Sequence, residues 1–351
     1  MGQQRNVGQQ RNVGQQRDVG QQCDVGQQRD VGQQRSGRRT KLAARTESLN
    51  TPGLSSGKVV VMLDAKVRYS PVGSASSLTF DSDMLLEKVQ HASITMLRAA
   101  TAAMDIRRPE VGACLTDLAG ACVAYNGADV PLTCAVGVGT SNAPDAAEIE
   151  AIEAFYSSRK SSVRITISGR THSGVNSLLA SRGYKAGKPM ENWWRPLSDI
   201  TAKPVPDNIE VTLATIDDAE AWVRTVAAGF EESDGSVDDS RLQPWLLDTF
   251  YCFGFSDGAQ PFLARRNGEV AGGGVLHING DTAHLRTTSC RFVHRRNGVQ
   301  TALLNFRLQW ALRAGCRFVF SSTAGIGASA RNLERFGLQP LSISFLMSRA
   351  C

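Results

Sequence analysis

Residues 293–338 set a strand, an arginine- and glycine-bearing turn, a long helix and a second strand in unbroken succession, and they constrain the chain more than any other stretch. A strand over 282–292 feeds into Arg295-Arg296-Asn297-Gly298-Val299-Gln300. After it Val299, Leu303, Phe306 and Trp310 recur at helical spacing, flanked by Leu304, Leu308 and Leu312. Gly315 closes the helix as a C-cap. A helix entered through basic and amide residues and a glycine leaves free N–H groups and its positive dipole end facing outward, which is an anion site. The stretch has no Gly-Lys-Ser/Thr, no GxGxxG and no acidic residue ending a following strand, so a nucleotide P-loop and a dinucleotide turn are both set aside.

Arg295-x-x-Gly298-x-Gln300 opening a helix, a strand over 316–322, and AlaSerAlaArgAsnLeuGluArgPheGlyLeu at 328–338 together resemble the acetyl-CoA-binding core of the GNAT superfamily of acyl-CoA-dependent N-acetyltransferases. Gln300 departs from the small residue usual at its position, and Asn297 stands where Arg, Lys or Gly is more usual. The resemblance implies an α/β (α+β) fold with a mixed central sheet flanked by helices, acetyl-CoA as co-substrate, no metal, and direct attack of an amine on the thioester. It carries coenzyme contacts to the backbone of Cys290, Arg291, Phe292 and Val293. The pyrophosphate cradle falls on Arg295, Arg296, Asn297, Gly298, Val299, Gln300 and Thr301, and further contacts on Ser322 and Asn332, with Ser321, Thr323, Ser329 and Arg335 as additional candidates. Many members place an acidic Tyr four residues before the final glycine of the short helix; here that residue is Leu333.

The attacking amine has to lose a proton, and a neutral imidazole near pH 7 suits that task. His284 is the first candidate base; Asp281, His277 and the acidic stretch Glu231, Glu232 and Asp234 are the others.

Upstream of this core the chain opens with a hexapeptide repeat over residues 2–37: GQQRNV twice, then GQQRDV, GQQCDV, GQQRDV and GQQRSG. One valine per unit cannot offset the entropy of ordering, so residues 1–60 are expected to be a disordered low-complexity tail, with Met62 a candidate internal start. Residues 1–58 hold ten Lys and Arg against four acids, which accounts for the whole net charge of +6. The remainder is near neutral, and nothing in it points to specific nucleic-acid binding. The tail lacks the apolar core of a signal peptide, and no segment approaches the roughly 20 apolar residues that span a bilayer. Eight cysteines without a CxxC pair suit buried thiols in a reducing compartment, so a cytoplasmic location is expected.

The length after the tail suits two domains, 61–200 and 208–351, joined by a proline-bearing linker at 197–207. The first half reads as a helix at 83–104, strands at 111–118, 121–125 and 132–137, a helix at 145–158, a strand at 162–168, a helix at 175–182 and a strand at 191–196. The second reads as a strand from 210, a helix at 219–230, a helix at 242–251 and a hairpin about Asn267-Gly268, followed by the core stretch. The order repeats, which suggests tandem GNAT-like domains. The first half, however, enters its middle helix through Asn142-Ala143-Pro144-Asp145 with Glu148 and Glu150, and those acids would repel a pyrophosphate. It is therefore expected to be degenerate and not to bind coenzyme A.

Two function classes follow. One is an N-acetyltransferase acting on a small-molecule or protein amine. The other is a non-catalytic acyl-CoA-binding or protein-interaction module, favoured by Leu333 and by Asn297 and Gln300.

Overall fold

The structure, a computed structural model, describes residues 80–231, 239–325 and 327–350. The repeat tail at 1–60, Met62, and the acids Glu232 and Asp234 lie outside the described residues. From Phe80 onward the described residues belong to one compact unit.

Helix α1 (Ser82–Arg107) starts where the Asp81 carboxylate accepts the Asp83 N–H at 2.9 Å, and it buries Leu85, Met96, Leu97, Ala100 and Met104 along one side. A 3-10 turn at Pro109–Val111 ends on Gly112 with φ 63°, so the first strand starts later than the sequence spacing predicts. Strands β1 (Cys114–Leu118) and β2 (Ala121–Tyr125) form a hairpin whose two turn residues, Ala119 and Gly120, both have positive φ, the geometry that matches strand twist. Then come β3 (Cys134–Val136), α2 (Ala146–Ser157), β4 (Val163–Ile167), α3 (Ser173–Ser181), β5 (Lys185–Ala186) and β6 (Met190–Pro196).

The second half runs β7 (Ile209–Leu213), α4 (Ala219–Glu231), α5 (Pro244–Phe255), β8 (Ala259–Arg266), β9 (Glu269–Asn279) and β10 (Thr282–Cys290). It continues through α6 (Val299–Arg313), β11 (Phe318–Ala324), α7 (Ala328–Arg335) and β12 (Gln339–Arg349). The β8–β9 turn is the expected Asn267-Gly268, at φ 51° and 83°. Strand β10 stops at Cys290 rather than running to Phe292, because Phe292–His294 coils into a 3-10 turn.

The mixed α/β class is as expected, and the sheet adds a feature. The described strands form a twelve-stranded sheet ordered β1-β2-β3-β4-β12-β6-β11-β10-β9-β8-β7, with β5 on β12. Two pairs are parallel, β3 with β4 and β10 with β11; each is the pair bridged by the middle helix of its half. The closing strands are exchanged: β6 pairs with β11 of the second half, and β12 pairs with β4 of the first. β6 and β12 also pair with each other, which makes the sheet continuous.

The linker is fixed against this frame. Buried Asn305 on α6 accepts the Lys203 N–H at 2.9 Å and donates to its carbonyl at 3.2 Å. Above the sheet, Val299, Leu303, Leu304 and Leu308 of α6 pack with Phe262, Leu276, Leu285 and Val319 in the largest core cluster. No described helix is long and apolar enough to cross a membrane.

Candidate functional site

The parallel pairing of β10 and β11 runs from Thr282↔Phe318 to Leu285↔Ser321 and then stops. Beyond that point β10 also breaks register with β9, between Arg286 and Ser289, and Thr287 sits at φ 47°. A β-branched residue in the left-handed region is strained, and such outliers collect where strands are bent for a purpose. Here the strands splay apart.

Arg307, on α6 and 1% exposed, holds the bend. Its guanidinium donates to Thr288 Oγ1 at 2.7 Å, Val275 O at 3.1 Å and Arg286 O at 3.4 Å, and its Nε to Leu303 O at 3.0 Å. Burial without a carboxylate lowers its pKa to about 9.

At the same end of the sheet lies a cavity of about 900 Å³. Its floor is the start of α6. Gly298 enters that helix at φ 90° with no side-chain cap, and the first helical bond is Ala302 N–H to Gly298 O at 2.9 Å. The N–H groups of Val299, Gln300 and Thr301 are therefore left for an outside acceptor. The glycine has a second reason to be there: a Cβ at 298 would lie 3.2 Å from Pro206 of the linker. The charged lining is four arginines, 295, 296, 331 and 335, against Glu334. An uncapped helix start among net positive charge fits a phosphate-bearing group.

Of the residues the sequence assigned to the coenzyme, the cavity gathers Cys290, Arg295, Arg296, Gly298, Val299, Gln300, Thr301 and Asn332, together with Ser329 and Arg335. Arg295 lines it while bracing the wall, since its Nη2 donates to Gly229 O at 3.0 Å and its Nε to Cys290 O at 3.3 Å. Arg296 makes no hydrogen bond or ion pair with any described residue and is exposed.

Other assigned residues are not brought in. Arg291 pairs with Asp239 at 3.1 Å. Phe292 and Val293 point outward on the 3-10 turn, Val293 at 69% exposure. Asn297 folds back to bond Arg295 O at 2.9 Å. Ser321 bonds Leu285 O, Thr323 accepts from Trp193 at 2.9 Å, and Ser322 lines a different cavity.

Sequence reasoning missed the far wall. Gly229 and Phe230 end α4, and Gly229 lies so close to β10 that a Cβ would sit 2.6 Å from Ser289 Oγ. Thr288, Ser289 and His294 also line the site, and His294 Nδ1 is buried with no partner. A glycine in the last turn of an amphipathic helix was the available signal.

His284, the first candidate base, is 3% exposed and lines neither cavity. Both ring nitrogens lack partners, and burial, then Arg286 and His277, hold its pKa well below the ordinary value. It is neutral, but no acceptor amine can reach it there. His277 is also buried, bonds Phe253 O at 3.0 Å, and is pushed down to about 4 mainly by burial. Asp281 is engaged by Lys88 at 2.6 Å, and Glu231 is exposed at the end of α4. Leu333 is buried in the core cluster, so no acidic side chain stands at that position. Among the described residues no cluster of metal-ligating side chains exists.

A splayed parallel pair, an uncapped helix start beneath it and an arginine-lined cavity lie together at one end of the sheet, and residues 221–337 match the acetyltransferase (GNAT) family. The chain thus carries a GNAT-family domain, and acyl transfer is the chemistry of that family. No curated protein matches the sequence. Among solved structures, the chain is similar to a GCN5-related N-acetyltransferase from Kribbella flavida at 14% identity and TM-score 0.56, covering 76% of this chain and 96% of that one. That coverage exceeds what residues 208–351 could supply, so the shared fold includes the first half. A tandem GNAT protein from the clavulanic acid biosynthesis pathway matches at 14% identity over 75% of this chain and 95% of that one, at TM-score 0.49.

Proposed function

We propose that the C-terminal half, 208–351, is an N-acetyltransferase that moves an acetyl group from acetyl-CoA to an amine, with 61–200 a degenerate duplicate that does not bind the coenzyme. The observation that carries this reading is the uncapped start of α6 opening into the arginine-lined cavity beside the β10–β11 splay. Bound acetyl-CoA would supply an activated thioester. Val299, Gln300 and Thr301 would donate N–H groups to its pyrophosphate, with Arg296 and Arg335 adding charge. The unpaired edge of β10 past Leu285 would hold the pantetheine arm, as a strand edge holds a peptide.

In the transfer the amine nitrogen bonds the carbonyl carbon, the carbon–sulfur bond breaks, and the nitrogen loses a proton. With His284 sealed in and Leu333 apolar, water takes that proton and protonates the departing thiolate. The competing reading, a non-catalytic acyl-CoA-binding or protein-interaction module, rests on the burial of His284 and on the apolar Leu333.

One experiment separates them. Acetyl-CoA is titrated calorimetrically into the full chain and into Thr301→Glu, and thiol release is followed with mixed amines. Micromolar binding lost in the variant, with amine-dependent release, is the expected result. Binding without release selects the module, and a folded parent that binds no acetyl-CoA overturns both coenzyme readings.

A further inference from the structure

A second cavity, of about 240 Å³, lies on the other side of the splay, between the two halves. Arg286 of β10 and Ser322 of β11 line it, and these are the residues directly after the last paired rung, Leu285↔Ser321. The first half closes it with α1 and β3, and the exchanged strands β6 and β12 add Asn192, Ser342 and Ser344.

The guanidinium of Arg286 distinguishes this space. It makes no hydrogen bond or ion pair with any described residue, and it stands over the Phe253 ring, 5.5 Å from the centroid. Arg307, twenty-one positions on, is more deeply buried and spends its donors on four acceptors. No Asp or Glu lines the cavity. Cys134, which does, has its thiol raised to about 12 by burial and so supplies no counter-charge at neutral pH. Arg286 is half-buried, and its donors are unspent on the protein where it lines the cavity, so they are available to a ligand there.

The remaining polar groups are arranged to receive one. Asn192 takes the Ser322 hydroxyl at 2.7 Å and donates toward Ser342 at 3.2 Å and Ser344 at 3.3 Å, which fixes a polar wall. Gln90 Oε1 is buried with no partner and offers an acceptor for a donor group. The volume corresponds to about eight waters' share of liquid, so it takes a ligand of roughly that many heavy atoms. Thr288, in the lining of the coenzyme cavity, is two residues from Arg286, about 6 Å along the strand.

We propose that this cavity binds the acceptor, that the acceptor is a small amine bearing a carboxylate, as an amino acid does, and that Arg286 is the residue that binds the carboxylate. The inference rests on the acetyltransferase reading for the direction of transfer. A planar guanidinium pairs two-pronged with a carboxylate. A single cation among hydroxyls suits a monoanion better than a phosphate dianion. The spacing to Thr288 then places an amine a few atoms away at the level of the acyl group.

The test uses the full chain with glycine, β-alanine, γ-aminobutyrate and the α-amino acids, each against its primary amide. Thermal stabilisation is read without coenzyme and thiol release with acetyl-CoA. At least one acid is expected to raise Tm and to be turned over with KM about 10²-fold below its amide, as expected when a buried polar group would otherwise be left unpaired. Arg286→Gln is expected to raise that KM about 10²-fold with kcat changed only a few-fold and acetyl-CoA affinity unchanged; Arg286→Lys should fall between. Ser93→Leu, which fills the cavity from α1, should abolish the stabilisation without touching Arg286, and keeps the test valid if Arg286→Gln fails to fold.

Equal response to acids and amides, a preference retained in Arg286→Gln, stabilisation by inorganic phosphate instead, or no response to any acid would overturn the inference. Failure of the coenzyme reading is distinguishable, because it appears as absent acetyl-CoA binding while carboxylate stabilisation is still measured without coenzyme.

Discussion

Helices α2 and α6 occupy equivalent places, each bridging the parallel pair of its half, yet their first turns have opposite chemistry. At α2 the Asp145 carboxylate accepts the Glu148 N–H at 2.8 Å and Glu148 accepts the Asp145 N–H at 2.9 Å, a reciprocal capping box. At α6 the capping position is Gly298 and the third helical residue is Thr301, so nothing closes the end. The same fold thus consumes its anion site in one half and leaves it available in the other, and a few side chains decide which.

The comparison breaks most severely if the halves are separated. Residues 80–204 and 205–351 expressed apart each lack a central strand, and neither is expected to melt cooperatively; mixing them should restore a single transition in calorimetry.

Acid should act through the second half. His277 and His284 are both buried on its strands, whereas His172 in the first half caps α3 at the surface. For His277 the folded pKa, about 4, is below the ordinary 6.5, so the unfolded chain binds the proton first. Stability is full above pH 6.5, falls as pH drops toward 4 and then levels off, by about 3 kcal/mol for this one group. His277→Gln, which keeps a donor for Phe253 O, should flatten that part of a Tm-against-pH curve.

Thr301→Glu installs in α6 the carboxylate that Glu148 provides in α2. Acetyl-CoA binding should weaken roughly 10- to 100-fold by calorimetry, with Tm nearly unchanged. The reciprocal change, Asp145→Ala, should cost about 1 kcal/mol by denaturant unfolding and confer no acetyl-CoA binding. Smallest of all, His284→Phe should leave the dependence of kcat/KM on pH unaltered between 6 and 9; loss of an ionisation there would restore His284 as a base.

The sequence made the glycine entrance to α6 legible because its parts are local. Gly298, the α6 spacing and the 328–338 helix are read within fifty residues, and their identities follow from dihedral and dipole requirements. The hairpin at Asn267-Gly268 is legible for the same reason. What escaped is non-local. His284 looked available because strand alternation tells which residues share a face but not that α1 and α5 cover that face. That Arg295 braces the wall while lining the cavity was hidden because its carbonyl partners, Gly229 and Cys290, meet only in the folded chain. Arg286 carried no signal at all until the opposite wall of its cavity, drawn from the other half, was in place. The strand exchange was equally hidden, since β12 has the same alternating pattern whichever neighbour it joins.

That exchange sets a schedule on biosynthesis. The strand that fills the gap between β4 and β6 is made some 140 residues after β6. At translation rates of about 5–20 residues per second β4 and β6 stand without β12 between them for roughly 7 to 28 s. During that interval the first half is a half-built sheet in search of a strand, so the nascent chain, rather than the finished protein, is where this architecture is most exposed to aggregation and most dependent on chaperones.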